Sequence, residues 1–254
     1  MAPRLQSLLD APIIELDTID STNNYAMRLI DADTAQAGLT VLARAQTGGK
    51  GQRGRRWKDV PGESLLASFI CVPDCILEHQ FVFNAAVAVA IADVLAHLYE
   101  GWDVRIKWPN DIIINDKKAG GILIENVLRG NSWSFSIIGL GLNVSQTSFS
   151  ADLPFATSLT LAANGRIFPI SAVFRQIREG IYRKTLNLSG TSGEIMKEYN
   201  DFLYRKDYAQ SFSSGSHHWK AIIKGANVNG QLEVEMADGS IMHYSHGSQE
   251  WRWE

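Results

Sequence analysis

Short apolar runs separated by turn residues fill much of the chain and predict a fold that contains both helices and strands. The β-prone runs are residues 13–16, 40–45, 65–72, 104–108, 111–115, 121–127 and 133–140. The last four follow one another in quick succession, which favours an antiparallel region of sheet. Residues 20–24 (DSTNN) offer several N-cap side chains for a helix that continues to about residue 32.

Two other stretches have helical patterns. Residues 81–98 are apolar on all sides, with interruptions at Asn84, Asp93 and His97, and they fall short of a comfortable membrane-spanning length. We interpret this stretch as a buried helix. Apolar residues recur at helical spacing between residues 173 and 181, and a further helix is predicted for residues 193–203.

The pattern changes beyond residue 207. The runs 219–223, 232–236 and 241–244 are short and β-prone, and the turn pairs Asn229-Gly230 and Asp238-Gly239 separate them. Two hairpins bury little apolar surface alone, so they should pack against a larger body. We therefore predict a small β-domain at residues 207–254 and an α+β domain at residues 1–206.

Composition excludes several classes of protein. The 254 residues are 45% hydrophobic and 20% charged, with a formal net charge of −3, which is typical of a folded protein and argues against a whole-surface nucleic-acid binder. The two cysteines, Cys71 and Cys75, are too few for a disulfide framework. Residues 1–17 have acids and no long apolar stretch, unlike a secretory signal. We expect a cytoplasmic protein.

The loop at residues 48–58 (GGKGQRGRRWK) concentrates positive charge and glycine. Its basic residues are Lys50, Arg53, Arg55, Arg56 and Lys58. Glycines allow backbone N–H groups to approach an anion, and guanidinium groups match phosphate and carboxylate geometry, so this loop suits a polyphosphate. A mobile surface loop fits the composition equally well. No Gly-Lys-Ser/Thr ends the loop, which disfavours an ordinary P-loop.

Residues 107–126 (KWPNDIIINDKKAGGILIEN) combine polar and glycine residues with β-prone sequence. Pro109 removes a ladder donor, which should fix Asn110 and Asp111 near a strand end. A hairpin turn at residues 115–118 would present Lys118 at the start of the outgoing strand, beside the small residues Gly120 and Gly121. A simple turn and a surface lysine are the alternatives.

Residues 139–143 (GLGLN) place Asn143 at a strand end. The pattern is weak by itself, because bulge or close-packing glycines explain it equally well.

Five segments together resemble biotin protein ligases in order and spacing. They are residues 20–23 (DSTN), 46–57 (QTGGKGQRGRRW), 107–111 (KWPND), 117–125 (KKAGGILIE) and 139–143 (GLGLN). The resemblance is strong over residues 13–144 and loose in the C-terminal module. It implies an α+β fold like that of class II aminoacyl-tRNA synthetases and biotin ligases, with a mixed, largely antiparallel sheet, packed helices and a small C-terminal SH3-like β-barrel.

The resemblance also implies roles for individual residues. The biotin-binding set is Ser21, Thr22, Asn23, Gln46, Lys50, Gly51, Gln52, Lys118, Gly120 and Gly121. The set for ATP and the adenylate is Lys50, Arg53, Arg55, Trp57, Asn110 and Asn143. Lys118 and Asp111 are the implied catalytic residues, with Asp111 assisting deprotonation of the acceptor lysine, and the metal ligands are left unassigned.

The reaction implied by the resemblance has two steps. Biotin and ATP, with Mg²⁺, would give biotinyl-5′-adenylate and pyrophosphate, and the biotinyl group would then pass to a lysine of a biotin carboxyl carrier domain of a biotin-dependent carboxylase. A homodimer is expected, with no DNA or membrane partner. The family loop often reads GRGRRGR, whereas Lys50 and Gln52 replace arginines here, so we expect weaker retention of the adenylate.

Three alternatives stay open at this point. A lipoate ligase or octanoyl transferase is similar in fold and also relies on a lysine, although the loop and the KWPND segment favour biotin. A biotin-sensing repressor would need a helix-turn-helix, for which the dozen or so residues before the first strand leave no room. A non-catalytic biotin sensor is disfavoured by Lys118.

Overall fold

The structure is a computed structural model that describes residues 2–130, 132–186 and 188–253. Its main sheet has seven strands in the order β1-β2-β3-β7-β6-β5-β4. The strands are β1 (Ile13–Ile19), β2 (Thr40–Gln46), β3 (Ser64–Cys71), β4 (Val104–Lys107), β5 (Asp111–Ile114), β6 (Lys117–Arg129) and β7 (Ser132–Asn143). Only the β1–β2 pair of this sheet is parallel, so the predicted mixed, largely antiparallel sheet is confirmed.

Helices cover both faces of this sheet. They are α1 (Ala2–Leu9), α2 (Thr22–Asp31), α3 (Gln80–Leu98), α4 (Leu159–Ala162), α5 (Ile170–Thr185) and α6 (Ser192–Asp201). Alternate residues of a strand point to opposite faces. In β7, Ile138, Leu140 and Leu142 join the large core beneath α3 and α5, whereas Ile137 packs under α2 with Ala26.

The apolar helix α3 is the centre of the large core. It contacts α5, α6 and β4, and twelve of its residues are buried. The segment Leu77–Leu98 is long and apolar enough to cross a membrane, but 67% of its most apolar 18-residue stretch is buried inside the fold. A helix that is apolar on all sides fits a core position, as the sequence predicted.

A second, five-stranded antiparallel sheet forms the C-terminal region, with strand order β11-β10-β9-β8-β12. Its strands are β8 (Ala209–Ser214), β9 (His217–Ala226), β10 (Leu232–Glu235), β11 (Ile241–Tyr244) and β12 (Glu250–Trp251). The sequence indicated β9, β10 and β11. β8 and β12 were not predicted, because β8 is rich in serine with Phe212 as its one large apolar residue, and β12 has only two residues. The SH3-like barrel stays a prediction.

The N-terminal helix α1 was also missed by sequence reasoning. It is held by a tertiary contact, in which the buried guanidinium of Arg178 in α5 donates to the carbonyl oxygens of Leu8 and Leu9 at 3.1 and 2.8 Å. The same group donates to Ala11 and Gly38. Such a long-range contact leaves no local pattern in the sequence.

Candidate active site

A cavity of about 860 Å³ lies on the α2 side of the main sheet. Its floor is formed by β6 and β7, one wall by the start of α2 and the loop at residues 50–57, and another by the turn between β4 and β5. Residues 246–251 and Trp253 from the C-terminal region complete it. The cavity is therefore assembled from segments across almost the whole chain.

The first wall is the N-terminus of α2. Ser21 occupies the N-cap position with extended backbone angles, but its side chain makes no capping hydrogen bond. The backbone N–H of Thr22 donates instead to Gln46 Oε1 at 2.7 Å. Capping is thus supplied by Gln46 from β2, and the buried side chains of Ser21 and Thr22 line the cavity.

Asn23 is fixed on the floor by three partners. Its Nδ2 donates to Glu125 Oε2 at 2.7 Å and to Leu123 O at 3.3 Å. Its Oδ1 accepts a hydrogen bond from Ser68 Oγ at 2.6 Å. These contacts fix which end of the amide carries the oxygen, and they leave the side chain only 3% exposed. Asn23 is a rigid polar element of the floor.

Two glycines of β7 make room for the cavity. A Cβ atom at Gly139 would collide with the amide of Asn23, and one at Gly141 would lie 2.5 Å from Cε2 of Trp57. Gly139 and Gly141 are two positions apart in the strand, so both face the cavity. The GLGLN segment therefore has a steric role, one of the explanations that the sequence left open: it lets Asn23 and Trp57 lie directly on the sheet.

Lys118 and Asp111 form an ion pair above Gly121. Lys118 Nζ lies 2.7 Å from Asp111 Oδ1, with the side chains 35% and 22% exposed. Asn115 and Asp116 have positive φ angles, and the predicted hairpin turn there is confirmed. The pairing of β5 with β6 shifts register between Ile112 and Ile113, so this bulge lies beside Lys118 and can re-aim its side chain.

The basic loop folds into a small hairpin of its own. Gly51 N donates to Arg55 O at 2.8 Å, and Trp57 N donates to Gly49 O at 3.0 Å. Arg53, at the tip, has φ 56° and donates to Gly247 O of the C-terminal region at 3.1 Å. Lys50 pairs with Glu125 at 3.3 Å. The loop is thus held at its base and at its tip.

Lys107 is a further cation of this cavity, and it is only 7% exposed. Its Nζ lies 4.5 and 5.0 Å from the ring centroids of Trp251 and Trp253, and it donates to Trp251 O at 3.3 Å. Burial lowers the pKa of Lys107 to about 8, with Lys118 adding to the effect and Asp111 opposing it. Its charge is therefore sensitive to pH near neutrality.

Most residues proposed from the sequence come together here. Those that line the cavity are Ser21, Thr22, Asn23, Gln46, Lys50, Gly51, Gln52, Arg53, Arg55, Trp57, Asn110, Asp111, Lys118 and Gly121. Two lie outside its lining. A Cβ atom at Gly120 would lie 2.9 Å from the carbonyl oxygen of Gly141, and Asn143 is buried, with its Nδ2 donating to Thr157 O at 2.9 Å.

Sequence reasoning did not single out several residues of the site. Lys107 and Glu125 lie inside the segments KWPND and KKAGGILIE, so a signal was present for both. Ser68, His246, Trp251 and Trp253 lie in no such motif, and only the tertiary fold brings them to the site.

The arrangement has an order along the strands. Asn23 lies over Gly139, which is paired with Leu123. Lys118 and Trp57 lie over Gly121, which is paired with Gly141, so the two groups are two residues apart along the strands. That spacing is about 7 Å along a strand. Neutral hydrogen-bonding groups therefore lie at one level and the ammonium group of Lys118 at the next, and the loop arginines line the same cavity. Such a site suits a molecule with a neutral polar head and a carboxylate tail, next to a polyphosphate.

Comparisons with known proteins agree with this geometry. The sequence model of the Biotin/lipoate A/B protein ligase family matches residues 15–143. The bifunctional ligase/repressor BirA of Bacillus spizizenii is 39% identical over 160 residues, which are 61% of this chain and 48% of that protein. The biotin–[acetyl-CoA-carboxylase] ligase of Paracoccus denitrificans is 35% identical over 127 residues, or 49% of this chain and 51% of that protein. The chain spans about half the length of these curated relatives.

The fold has close counterparts among solved structures. A biotin protein ligase from Aquifex aeolicus, solved in complex with biotin and ATP, superposes with a TM-score of 0.79. The match covers 95% of this chain and 99% of that one, at 22% identity. At this identity, the likeness shows that both chains share a fold.

Proposed function

Because this chain belongs to the Biotin/lipoate A/B protein ligase family, we propose that it is a biotin protein ligase that joins biotin to a lysine of an acceptor protein through biotinyl-5′-adenylate. The observation that carries the proposal is the order of groups on the cavity floor. Buried Ser21, Thr22 and Asn23 lie at one level, and Lys118 lies two residues further along the strands. This order matches biotin, which has a ureido ring at one end and a carboxylate at the other.

The buried polar groups favour biotin over lipoate. A ureido group offers N–H donors and a carbonyl acceptor to Ser21, Thr22 and Asn23. A dithiolane ring offers neither, and a ligand without partners for buried polar groups binds far more weakly. The same cavity therefore disfavours lipoate or octanoate as the substrate.

In the first half-reaction, a biotin carboxylate oxygen attacks the α-phosphorus of ATP. The bond from that phosphorus to the bridging oxygen breaks, and pyrophosphate leaves. Two anions must approach each other, so fixed cations are needed. In this proposal Lys118 bridges the carboxylate and the α-phosphate, and Arg53, Arg55 and Lys107, which line the same cavity, add positive charge.

In the second half-reaction, the nitrogen of the acceptor lysine attacks the acyl carbon of the adenylate. The bond from that carbon to the AMP oxygen breaks, AMP leaves, and the lysine proton passes to a base. Asp111 is the carboxylate beside Lys118, and we assign it this role. The loop at residues 50–57 covers the adenylate and limits its hydrolysis.

Mg²⁺ would enter as part of the nucleotide substrate. The described residues contain no group of three or more His, Cys, Asp and Glu side chains that could hold a metal. Mg²⁺ commonly binds through one or two carboxylates and substrate phosphates, and Asp111 at the cavity wall fits that need. The ion would supply charge neutralisation at the phosphates.

For the acceptor, we propose a biotin carboxyl carrier domain, in keeping with the name of the Paracoccus relative. A cytoplasmic location and a homodimer are part of the same proposal.

The test supplies the protein with ATP, a biotin carboxyl carrier domain and either labelled biotin or labelled lipoate. Pyrophosphate release and protein-bound label are measured together. We expect both signals with biotin and neither with lipoate. A folded protein that transfers no biotin would refute the ligase assignment, and transfer of lipoate instead would reassign the substrate.

A further inference from the structure

A second, smaller cavity of about 230 Å³ adjoins the first. It lies between three parts of the fold. These are α3, the part of β6 that extends past the end of β5, and the C-terminal loops at residues 229–231 and 245–246. Gln52, Pro109, Asn110, Ile122 and His246 line both cavities. The two spaces therefore share a wall directly beside Asp111.

Two hydrogen-bond acceptors in this lining have no donor. Within residues 2–130, 132–186 and 188–253, Gln52 Oε1 and Asn84 Oδ1 are buried and have no hydrogen-bond partner. Buried polar atoms in folded proteins are nearly always paired, so each such atom calls for an explanation. A bound group that donates hydrogen bonds would supply the missing partners.

One wall of this cavity is apolar, and the rest of its lining carries the neutral polar side chains of Gln80, Asn110, Asn229, Gln231 and Ser245. Phe81 and Ala88 of α3 and Ile124 of β6 form one side. His246 is the titratable residue in the lining, and burial, followed by the charges of Arg53 and Arg55, lowers its pKa below the usual value. A neutral imidazole would not repel a cation. Among the described residues, the lining thus combines an apolar wall, two unpaired acceptors and no fixed positive charge.

A lysine side chain has the complementary chemistry. Its four methylene groups can lie on an apolar surface, and its amino group carries donors for two amide oxygens. A carboxylate or phosphate would instead face two unpaired oxygens. We propose that this second cavity receives the side chain of the acceptor lysine, with its amino group bound by Asn84 Oδ1 and Gln52 Oε1 before it attacks the adenylate.

This inference rests on the proposed function and adds the binding site of its second substrate. The bound amine would lie close to the reacting groups. Gln52 and Asn110 line both cavities, and Asn110 directly precedes Asp111, the carboxylate that would take the proton. The nitrogen forms the new bond to the acyl carbon, the bond to AMP breaks, and the proton passes to Asp111. Neither Asn84 nor Gln52 takes part in proton transfer; both bind and position the amine.

The experiment uses the whole chain, loaded with biotin and ATP, and quantifies the bound adenylate before any acceptor is added. Transfer is started with n-pentylamine or with Nα-acetyl-lysine amide, and the rate per bound adenylate is followed against amine concentration. We expect saturation with both probes. Asn84→Leu should raise the half-saturating concentration about tenfold, the effect of losing one hydrogen bond to an amine.

Asn84→Asp keeps the shape of the side chain but should have the opposite effect on amine binding. The carboxylate should lower the half-saturating concentration and move the pH dependence of transfer upwards, because it favours the protonated amine. Asp93→Leu is the matched control, since it places the same leucine on the exposed side of α3. It should behave as the wild type does.

Two results would overturn the inference. If adenylate forms but the Asn84 variants and the wild type show the same amine dependence, the acceptor lysine does not use this cavity, while the ligase assignment stands. If the wild type forms no adenylate, the proposed function fails and this inference fails with it.

Discussion

The ammonium nitrogen of Lys118 lies 2.7 Å from Oδ1 of Asp111, and both side chains are partly exposed to the cavity. The two residues occupy adjacent strands of one hairpin, joined by a turn with positive φ at Asn115 and Asp116. An anionic substrate that binds Lys118 must compete with Asp111 for it. Substrate binding would thereby release the carboxylate for proton transfer.

Lys118→Met should abolish most adenylation. Loss of one fixed donor to the reacting oxygens typically costs about 10²–10³ in rate, and we expect kcat for pyrophosphate release to fall by that factor. Lys117→Met is the control, because Lys117 is exposed and lies outside the cavity lining. Equal effects of both variants would show that charge in the strand, and not the contact of Lys118, matters.

Asp111→Asn tests the second half-reaction by itself when the assay starts from adenylate that has already formed. An amide keeps the shape of the side chain but takes no proton, so transfer from preformed adenylate should slow by roughly 10²-fold or more. Single-turnover transfer to the carrier domain is the measurement. Asp116→Asn, in the same hairpin but exposed, should transfer at the wild-type rate. An Asp111→Asn rate equal to that of the wild type would assign the base elsewhere.

Alanine at the two floor glycines should affect two different ligands. In Gly139→Ala, the new Cβ displaces the amide of Asn23, so the Kd for biotin should rise at least about tenfold. In Gly141→Ala, the Cβ displaces the ring of Trp57, so retention of the adenylate should fall more than biotin affinity does. Calorimetry with biotin and filter retention of labelled adenylate measure the two effects. Gly193→Ala has open space around its Cβ and serves as the control.

Lys107 should make the KM for ATP depend on pH. Its pKa is lowered to about 8 by burial, so the ammonium loses its charge as the pH rises through 8. Attraction to the phosphates is lost with it, and we expect the KM to rise between about pH 7.5 and 9. Lys107→Met should show a high KM without this pH dependence. Wild-type and variant KM values that change in parallel would contradict the assignment.

Trp251→Leu tests how Lys107 is held. Loss of the indole exposes the ammonium, so its pKa should move back up towards the ordinary value, and the rise in KM should begin at a higher pH. A merely structural defect would change the amount of folded protein and leave the midpoint of the pH profile in place.

Gln52→Arg restores an arginine at a position where the loop of the resembled family often has one. A new guanidinium beside the adenylate should slow its dissociation by about ten- to a hundredfold, the range for one charged hydrogen bond. The same cation would oppose an amine in the second cavity, so transfer should slow as well. Release of labelled adenylate and single-turnover transfer measure the two effects, and Lys58→Arg in the same loop is the control.

Local patterns made most of the main domain predictable. The strands that flank Asn115 and Asp116 follow from alternating β-prone runs and turn residues, and the buried helix α3 follows from its apolar composition. The cavity residues at Ser21–Asn23 and around Lys118 were predictable because each lies in a compact motif. Their mutual placement then follows from strand register, which brings Gly139 opposite Leu123.

Contacts between distant segments were not predictable in this way. The steric role of Gly139 is defined by Asn23, which lies more than a hundred residues earlier in the chain. The low exposure of Lys107 depends on two tryptophans near residue 250. Asn143 lies at a strand end, where the sequence suggested a binding residue. Its amide instead donates to the carbonyl oxygen of Thr157 and does not line the cavity. A single sequence carries no record of such pairings.

The indoles of Trp251 and Trp253, in the C-terminal segment, contact the ammonium group of Lys107 in the main sheet. Exchange of this segment between homologous proteins would therefore transplant one wall of the cavity. Such chimaeras should inherit the pH response towards ATP from the donor of the C-terminal segment, and the choice of carboxylic acid from the donor of the remainder. The two traits would thus separate at the boundary between the sheets, although the residues behind both line one cavity.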